Sequence, residues 1–574
     1  MKEDIYYYQK ELASLYETRE QFVSKFPKLA PFLSIDSKDP DIERIIENLA
    51  LLTSKLRREL DENLPHIAES LINIVSPNFT NSIPSLCMQE FYFDTNSKAN
   101  KVHIPKNSSL KSKSINGVEC EFKTVYDLEL YPLKIDEVFL ANREKSYTMT
   151  LNLSVTKENL EFKELDLKRL LLYLGDDIYT SSTLLLYFHL YLQDIRLIAY
   201  ESGEIFKLSP YHIKDIGFNQ AQTLFSYNDL GFEAFSLLRE YFFLPEKFNF
   251  IALEGLESLQ GARGSRFGIE FSFDRAFPKN CIVRKDLFSL SVTPIINAFS
   301  KSAEPFVIDG QQETYPIFVD RMRLNAYEII QVEAVKAHNS DTGLRVLKNY
   351  KNFERFEFIA DKQMDFYSLN TKTNLKGEVY KTISFFSKDT SSQTISIDTL
   401  CSNQNIPSLL KIGDINKISN IKEAQTKNIK IPTVLRRVQI NGKLVWKLVS
   451  ILSFSYQTML SKNAFFNVLE SYGFEGDKQS EELCKLLKQS IIDIKTHSTY
   501  IIDEYITKKG IRCIISVKDS NFYSLGEVYK LGLILSHFFT SFASINSFCK
   551  LTIKCLDCGE SFEYPAKGGK KAKL

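Results

Sequence analysis

Hydrophobic residues near the amino terminus recur every three or four positions. In residues 3–28 the repeat consists of Ile5, Tyr8, Leu12, Leu15, Phe22 and Phe26. Arg19 stands where the next apolar residue of the pattern would fall, and Pro27 marks the end of the segment. This spacing is the heptad seam of a helix that packs lengthwise on another helix.

A second amphipathic helix is predicted after a break that contains prolines. Asp39 is a suitable N-cap and Pro40 a suitable first helical residue. Leu64 precedes Pro65, which predicts the end of this helix, and a third short helix is expected at 66–75. The apolar face of the second helix is formed by Ile42, Ile45, Ile46, Leu49, Leu52, Leu56 and Leu60.

These apolar faces need a partner surface. Burial of a large apolar side chain contributes roughly 1.5 to 3 kcal/mol, so a set of about ten is a strong driving force. Three helices cover one another only in part. We therefore predict that the helices of 3–28 and 40–75 contact another protein chain.

After about residue 86 the apolar period changes from three or four to two. Alternating segments of this kind, separated by Gly, Asn, Asp and Pro, predict strands. Short helices are expected near 178–192 and 232–243. The fold class is therefore α+β with mostly antiparallel sheet. The predicted strands are 89–94, 117–130, 146–155, 168–175, 267–273 and 326–335.

The carboxyl-terminal part reads as a separate α+β domain. It is expected to contain a helix at 478–495, a strand at 511–517, a helix at 525–541 and a strand at 548–556. A lysine-rich stretch near 410–430 lacks alternation and predicts a loop or linker. The predicted domains are an N-terminal helical segment at 1–85, a β-rich middle domain at 86–335, a second β-rich region at 336–443, and the C-terminal domain at 444–574.

Composition and charge indicate a folded globular protein and argue against binding of nucleic acid. Apolar residues are 44% and charged residues 25%, which is ordinary for a folded globular protein. Lys plus Arg count 72 against 71 for Asp plus Glu, so the broad positive field of a nucleic-acid binder is absent. The basic tail that begins at Lys567 reads as a solvated chain end. No nucleic-acid partner is predicted.

The chain is expected to be cytoplasmic. Its start has charges where a signal peptide would have an apolar region, and no run of 18 apolar residues occurs, so direct membrane insertion is not predicted. Nine cysteines without framework spacing suit a reducing compartment. Cys555 and Cys558 form a CxxC pair, but the nearest other cysteines do not make a second pair, so free thiols are favoured over a metal site.

Catalytic motifs are not found in the sequence. Walker-type GxxxxGK[ST], GxSxG and HExxH patterns are missing, and no two of the seven histidines are spaced i, i+4. His189 and His537 lie in apolar runs and read as core histidines. We predict no catalytic residue, no metal and no cofactor. The alternative is a cytoplasmic hydrolase that uses a pocket in the middle β domain.

The segment that contains the second helix carries a family resemblance. Residues 39–79, "DPDIERIIENLALLTSKLRRELDENLPHIAESLINIVSPNF", resemble the N-terminal signature of the TssF (VasA or ImpG) family of type VI secretion baseplate subunits. Collinear blocks that also resemble the family are "ECEFKTVYDLELYPL" (119–133), "LLREYFFLPEKFNFI" (237–251), "VTPIINAFSKSAEPF" (292–306), "YEIIQVEAV" (327–335), "LCSNQNIPSLL" (400–410), "VWKLVSILSFSY" (445–456) and "ASINSF" (543–548).

This resemblance implies a structural part of a contractile injection system rather than an enzyme. It implies a wedge in which a second TssF copy and TssG share a helical bundle with the N-terminal seams. TssK and TssE would join the wedge, and wedges would surround the VgrG hub. It also implies docking at the inner face of the cytoplasmic membrane through the secretion membrane complex. The interface residues expected on this basis are the apolar side chains of the first two helices.

Overall fold

The computed structural model describes residues 2–26, 40–41, 43–57, 81–94, 97–143, 146–225, 233–308, 312–339, 343–350, 365–373, 379–386, 392–437, 461–472, 477–503, 506–541, 543 and 546–569. These residues fall in two compact units, one with the described residues up to 57 and one with those from 81 onward. The predicted third helix at 66–75, Ile42, Leu60 and the block at 445–456 lie outside the described residues.

The described residues of the first unit form two antiparallel helices. Helix α1 spans Lys2–Lys25, and α2 is helical at 40–41 and 43–57. Arg57 Nη1 lies 2.5 Å from Glu11 Oε1, and Arg19 Nη1 lies 2.6 Å from Glu43 Oε1. Because the later residue of α2 pairs with the earlier residue of α1, the helices run in opposite directions. Both sequence-predicted helices are confirmed over the described residues.

The second unit combines helices with several sheets. Its helices are α3 (Ile178–Leu186), which continues as a π-helical turn at Tyr187–Tyr191, α4 (Glu233–Phe243), α5 (Lys462–Tyr472), α6 (Lys478–Ser490) and α7 (Leu525–Thr540). Its strands are β1 (Leu86–Phe93), β2 (Val102–Ile104), β3 (Ser109–Ile115), β4 (Val118–Thr124), β5 (Leu128–Leu130), β6 (Leu133–Arg143), β7 (Ser146–Val155), β8 (Arg169–Tyr173), β9 (Leu192–Ala199), β10 (Ile205–Leu208), β11 (Ile213–Asp215), β12 (Phe250–Glu254), β13 (Arg266–Phe273), β14 (Val292–Ile296), β15 (Phe299–Ser302), β16 (Phe306–Ile308), β17 (Tyr315–Pro316), β18 (Glu328–Asn339), β19 (Gly343–Asn349), β20 (Phe366–Thr373), β21 (Val379–Phe386), β22 (Gln393–Ser402), β23 (Ile415–Ile418), β24 (Ala424–Asn428), β25 (Ile491–Asp503), β26 (Ile506–Val517), β27 (Phe548–Cys555), β28 (Ser561–Glu563) and β29 (Lys567–Gly568).

The sheets are mostly antiparallel, as predicted, and the α+β class is confirmed. Within the described residues, the parallel pairs are β19 with β20 and β26 with β27. The strand orders are β23-β3-β4-β14-β1-β24, β10-β9-β13-β7-β6, β11-β12-β8, β2-β5, β15-β22-β18-β19-β20-β21-β17 with β16 also on β22, and β25-β26-β27-β28 with β29 also on β27. Alternate side chains of the first and fifth of these sheets build separate apolar cores.

The linker predicted near 410–430 is wrong for two of its segments. Strand β23 pairs with β3, and β24 pairs with β1 in the same sheet. The buried positions of β24 are Ala424, Thr426 and Asn428, which are small or polar. Asn428 Oδ1 accepts a hydrogen bond from the Ile415 N–H at 2.9 Å, so its burial is satisfied without an apolar side chain. An apolar alternation therefore does not appear in the sequence.

The helix predicted at 478–495 ends five residues early. Helix α6 stops at Ser490, and Ile491 is already paired with Val517 in the β25–β26 hairpin. Ile491, Ile492 and Ile494 extend the apolar run, but their β-branched side chains suit a strand better than a helix. The helix predicted near 178–192 likewise gives way to strand β9 at Leu192.

Helix α7 is the buried centre of the carboxyl-terminal part. Ser524 caps its start, because its Oγ accepts from the Glu527 N–H at 3.2 Å, while Glu527 Oε2 accepts from the Tyr523 N–H at 3.0 Å. The helix packs against α3, α4 and β27.

The described residues on both sides of the predicted boundary at 443 belong to one compact unit.

Candidate assembly interface

A small polar cluster joins the two helices of the first unit. Glu43 accepts hydrogen bonds from Tyr16 Oη at 2.7 Å and from Arg19 Nη1 at 2.6 Å. The hydrogen bond from Arg19, followed by that from Tyr16, lowers the pKa of the Glu43 carboxyl. Arg19 is buried, so the residue that interrupts the heptad seam is the polar contact between the helices.

The buried residues of α2 have small side chains, not large apolar ones. Ala50 is fully buried and Ser54 nearly so. These two residues are four apart and therefore lie on one face of the helix. Small side chains allow another helix to approach closely, whereas the large apolar residues of α2 lie on a different part of its surface.

Most large apolar side chains of α2 are exposed in the described chain, whereas Ile46 is half-buried. The exposed fractions are 65% for Ile45, 44% for Leu49, 61% for Leu52 and 61% for Leu56. Their spacing of four, three and four residues places them in one stripe, which we call the α2 stripe. Exposed apolar stripes of this kind mark sites of protein interaction.

The α1 residues of the predicted interface divide into two groups. Tyr8, Leu12 and Leu15 are half-buried, whereas Phe22 and Phe26 are 44% and 51% exposed. Ile5 lies within helix α1. The interface assignment of these residues, and of the α2 stripe, stays a prediction.

A cavity of about 730 Å³ lies in the second unit, where the alternative hydrolase would need a pocket. Three of its charged lining residues, Asp176, Asp177 and Lys430, hold structural positions. Asp177 Oδ2 accepts from the Thr180 N–H at 2.9 Å and caps α3. Lys430 Nζ lies 2.5 Å from Glu246 and 3.3 Å from Asp176. Burial lowers the pKa of Lys430, but the two carboxylates outweigh it and raise the pKa overall.

A buried ion pair lies below α4. The side chains of Glu240 and Lys247 are 1% and 0% exposed and are bonded to each other. Glu240 Oε1 also accepts from Thr223 Oγ1 at 2.5 Å and from the Leu224 N–H at 2.7 Å. Burial lowers the pKa of Lys247, and the charge of Glu240 opposes that shift. The pair fixes the end of α4 to the loop at 223–224, and the sequence reading did not single it out.

The two histidines interpreted as core residues have polar partners. His189 Nε2 lies 2.7 Å from Asp215 Oδ1, and the His537 ring stacks on Phe218 with 4.8 Å between centroids. His537 Nε2 also lies 2.5 Å from Lys567 Nζ. Lys567 belongs to strand β29 and is paired with Cys549 of β27, so the expectation of a solvated chain end is wrong at this residue. Burial lowers the pKa of Lys567 to about 8.

The family described as "Type VI secretion system, TssF" matches residues 1–571. The chain belongs to the TssF family. The resemblance predicted from the sequence blocks is thereby confirmed over nearly the whole chain, including α1 and α2.

Individual relatives are distant but aligned from end to end. The type VI secretion system component TssF1 of Pseudomonas aeruginosa is 23% identical, with 99% of each chain covered. A chain in a cryo-electron microscopy structure of a TssK-TssF-TssG baseplate subcomplex superposes with a TM-score of 0.79 at 22% identity, covering 93% of this chain and 99% of that one. A chain in a type VI baseplate complex gives 0.65 at 20% identity, covering 99% and 100%.

These likenesses confirm that the family fold is shared. Among the described helices, none has the length and apolar character needed to cross a membrane.

Proposed function

We propose that this TssF family member is a structural subunit of a type VI secretion baseplate. The observation that carries the proposal is the α2 stripe, four large apolar side chains left exposed on a helix of the family signature. Such a surface is stabilised when another chain covers it, because burial removes its apolar area from water. The structures that contain similar chains are baseplate assemblies, which supports the same role.

The proposed partners are TssG and TssK, with which a similar chain is assembled in the subcomplex. We further propose that the α2 stripe and the exposed end of α1 pack with TssG and a second copy of this chain in one helical bundle. TssE and the VgrG hub would contact the wedge thus formed. The complex would dock at the inner face of the cytoplasmic membrane through the secretion membrane complex.

The proposed role is mechanical and involves no catalysis. A wedge subunit would hold the spike hub, the start of the sheath and TssK in one arrangement and then permit a second one. The free energy that matters for this role is that of the interfaces between subunits. Two charged residues that line the cavity in the second unit support this proposal. Asp177 caps helix α3, and Lys430 pairs with two carboxylates, so both side chains hold structural positions.

The test is co-purification with TssG expressed from the same operon. The double substitution Leu52→Asp with Leu56→Asp places two charges in the stripe. Each buried leucine contributes roughly 1.5 to 3 kcal/mol, so the affinity for TssG should fall at least about a hundredfold. Far-ultraviolet circular dichroism should be unchanged, because both side chains are exposed in the isolated chain.

The matched control is Lys55→Asp, which places the same residue at an exposed polar position of the same helix. It should bind TssG as the unsubstituted chain does. Full recovery of TssG by the double variant would contradict the assignment of the stripe. Loss of binding by both the double variant and the Lys55→Asp control would point to instability of α2 instead.

A further inference from the structure

Three metal-ligating side chains meet at the carboxyl-terminal sheet. Asp519 begins a short 3₁₀ turn, Asp519–Asn521, between β26 and α7. Cys555 is the last residue of β27, and Cys558 lies in the turn that leads to β28. One carboxylate oxygen and the two sulfur atoms all lie within 4.8 Å of one another. Cys555 is buried, Asp519 is half-buried and Cys558 is exposed, so the group is reached from one side.

Backbone contacts hold the two cysteines in a tight turn. The Cys555 N–H donates to the Glu560 carbonyl at 2.9 Å and closes the loop. Gly559 has a φ of 75°, a left-handed conformation that glycine adopts without strain. The chain therefore folds back directly after Cys558.

The aspartate is oriented by the same turn. The Asp557 N–H donates to Asp519 Oδ1 at 2.8 Å, and the Ser520 N–H donates to Asp557 Oδ2 at 2.9 Å. These reciprocal bonds tie the loop before α7 to the turn after β27. Groups that orient a ligand in this way lower the cost of binding a metal, because the ligand is already in place.

We propose that Asp519, Cys555 and Cys558 bind one zinc-type divalent cation. Two thiolates and a carboxylate are ligands that zinc accepts, and a water molecule would complete a four-coordinate site. With Zn–S bonds of about 2.3 Å, tetrahedral geometry separates two sulfurs by roughly 3.8 Å, which the observed spacing allows. On binding, each thiol releases one proton to solvent, the carboxylate enters as an anion, and no electron is transferred.

The sequence alone favoured free thiols, because a second cysteine pair was missing. The third ligand is a carboxylate 36 positions before Cys555, and it is brought to the turn by the parallel pairing of β26 with β27. A bound metal would link the turn that follows β26 to the last residue of β27. It makes no use of the α2 stripe, so its test is independent of the proposed baseplate role.

The test is a cobalt titration of the metal-free, reduced full-length chain. Cobalt bound to thiolate in a tetrahedral site gives intense ligand-to-metal and d–d absorption bands. We expect one equivalent to produce these bands and zinc to abolish them by displacement. We expect Cys558→Ser to weaken binding at least a hundredfold and Asp519→Asn to weaken it about tenfold.

The control is Asp493→Asn, which makes the same chemical change on strand β25, outside the three-residue cluster, and keeps an oxygen that accepts from the Ile494 N–H. Its cobalt stoichiometry should stay at one. The proposal is overturned if the unsubstituted chain gives no thiolate bands, or if Cys558→Ser leaves them unchanged. The proposal is also overturned if the freshly purified chain contains a Cys555–Cys558 disulfide and elemental mass spectrometry detects no bound zinc.

Discussion

At the scale of single residues, the buried pair of Glu240 and Lys247 is a sensitive point of the second unit. Removing one partner of a buried ion pair leaves the other charge without compensation and costs about 3 to 5 kcal/mol. We expect Glu240→Gln to lower the free energy of unfolding by this amount. The amide cannot balance the ammonium of Lys247, although it still accepts from the Leu224 N–H. Urea denaturation measures the change.

The matched control is Glu119→Gln, because Glu119 pairs with Lys417 at 2.6 Å on the surface. Exposed pairs contribute about 0 to 1 kcal/mol, so this variant should denature almost as the parent does. The double variant Glu240→Gln with Lys247→Met should be more stable than Glu240→Gln alone. Equal effects of Glu240→Gln and Glu119→Gln would show that the buried pair is not isolated from water.

Residue roles that depend on distant partners could not be predicted from the sequence. Arg19 was visible only as a break in an apolar repeat, and its partner Glu43 is 24 positions away on another helix. Asp519 could not be linked to Cys555 and Cys558 for the same reason. The apolar positions of α1 and α2, by contrast, follow from local spacing, and the four residues of the α2 stripe are exposed in the described chain. That another chain covers this stripe stays a prediction.

At the scale of elements, the crossing of α3 and α7 depends on one glycine. A Cβ atom built on Gly526 would lie 2.3 Å from the backbone carbonyl of Ser182 and 2.5 Å from the Thr183 nitrogen. Backbone atoms cannot move aside as a flexible side chain can. We expect Gly526→Ala to force the helices apart and to cost roughly 1 to 3 kcal/mol, as overpacked cores do. The melting temperature should fall accordingly.

The same substitution at Gly261 is the control. A Cβ atom there has no neighbour within 4 Å, and the residue ends a short 3₁₀ helix. Gly261→Ala should leave the melting temperature nearly unchanged. A melting temperature of Gly526→Ala equal to that of the control would mean that α3 and α7 do not pack as closely as the structure shows.

Helices and strands could be predicted from the sequence where the buried positions are apolar and regularly spaced. Strands β7 and β13 and helix α7 lie where the period of two or of three to four residues places them. Strand β24 was missed, because its inward positions include Thr426 and Asn428, which satisfy burial through hydrogen bonds. Strand β23 was missed, because a register shift between Ile415 and Lys417 interrupts its alternation. The early end of α6 was missed, because an apolar run continues from helix into strand and its period is ambiguous there.

At the scale of the whole molecule, the chain combines a self-sufficient body with an unsatisfied helical surface. The second unit has its own apolar cores and buried ion pair. The first unit buries Ala50 and Ser54 while the α2 stripe stays in contact with solvent. A protein that stabilises its body internally and exposes a helix face is suited to assembly, since partner binding adds stability without refolding the body.

This surface should make the isolated chain associate with itself when TssG is missing. The chain has a mass of 66.2 kDa. Light scattering should give a weight-average mass above this value that rises with protein concentration, because apolar stripes associate in the absence of their partner. Added salt should not reverse the association, since salt screens charges but does not weaken apolar contacts. Leu52→Asp with Leu56→Asp should restore 66.2 kDa at all concentrations, whereas Lys55→Asp should not. A parent chain that stays at the mass of one copy throughout, or that dissociates in salt, would show that the exposed stripe does not drive association.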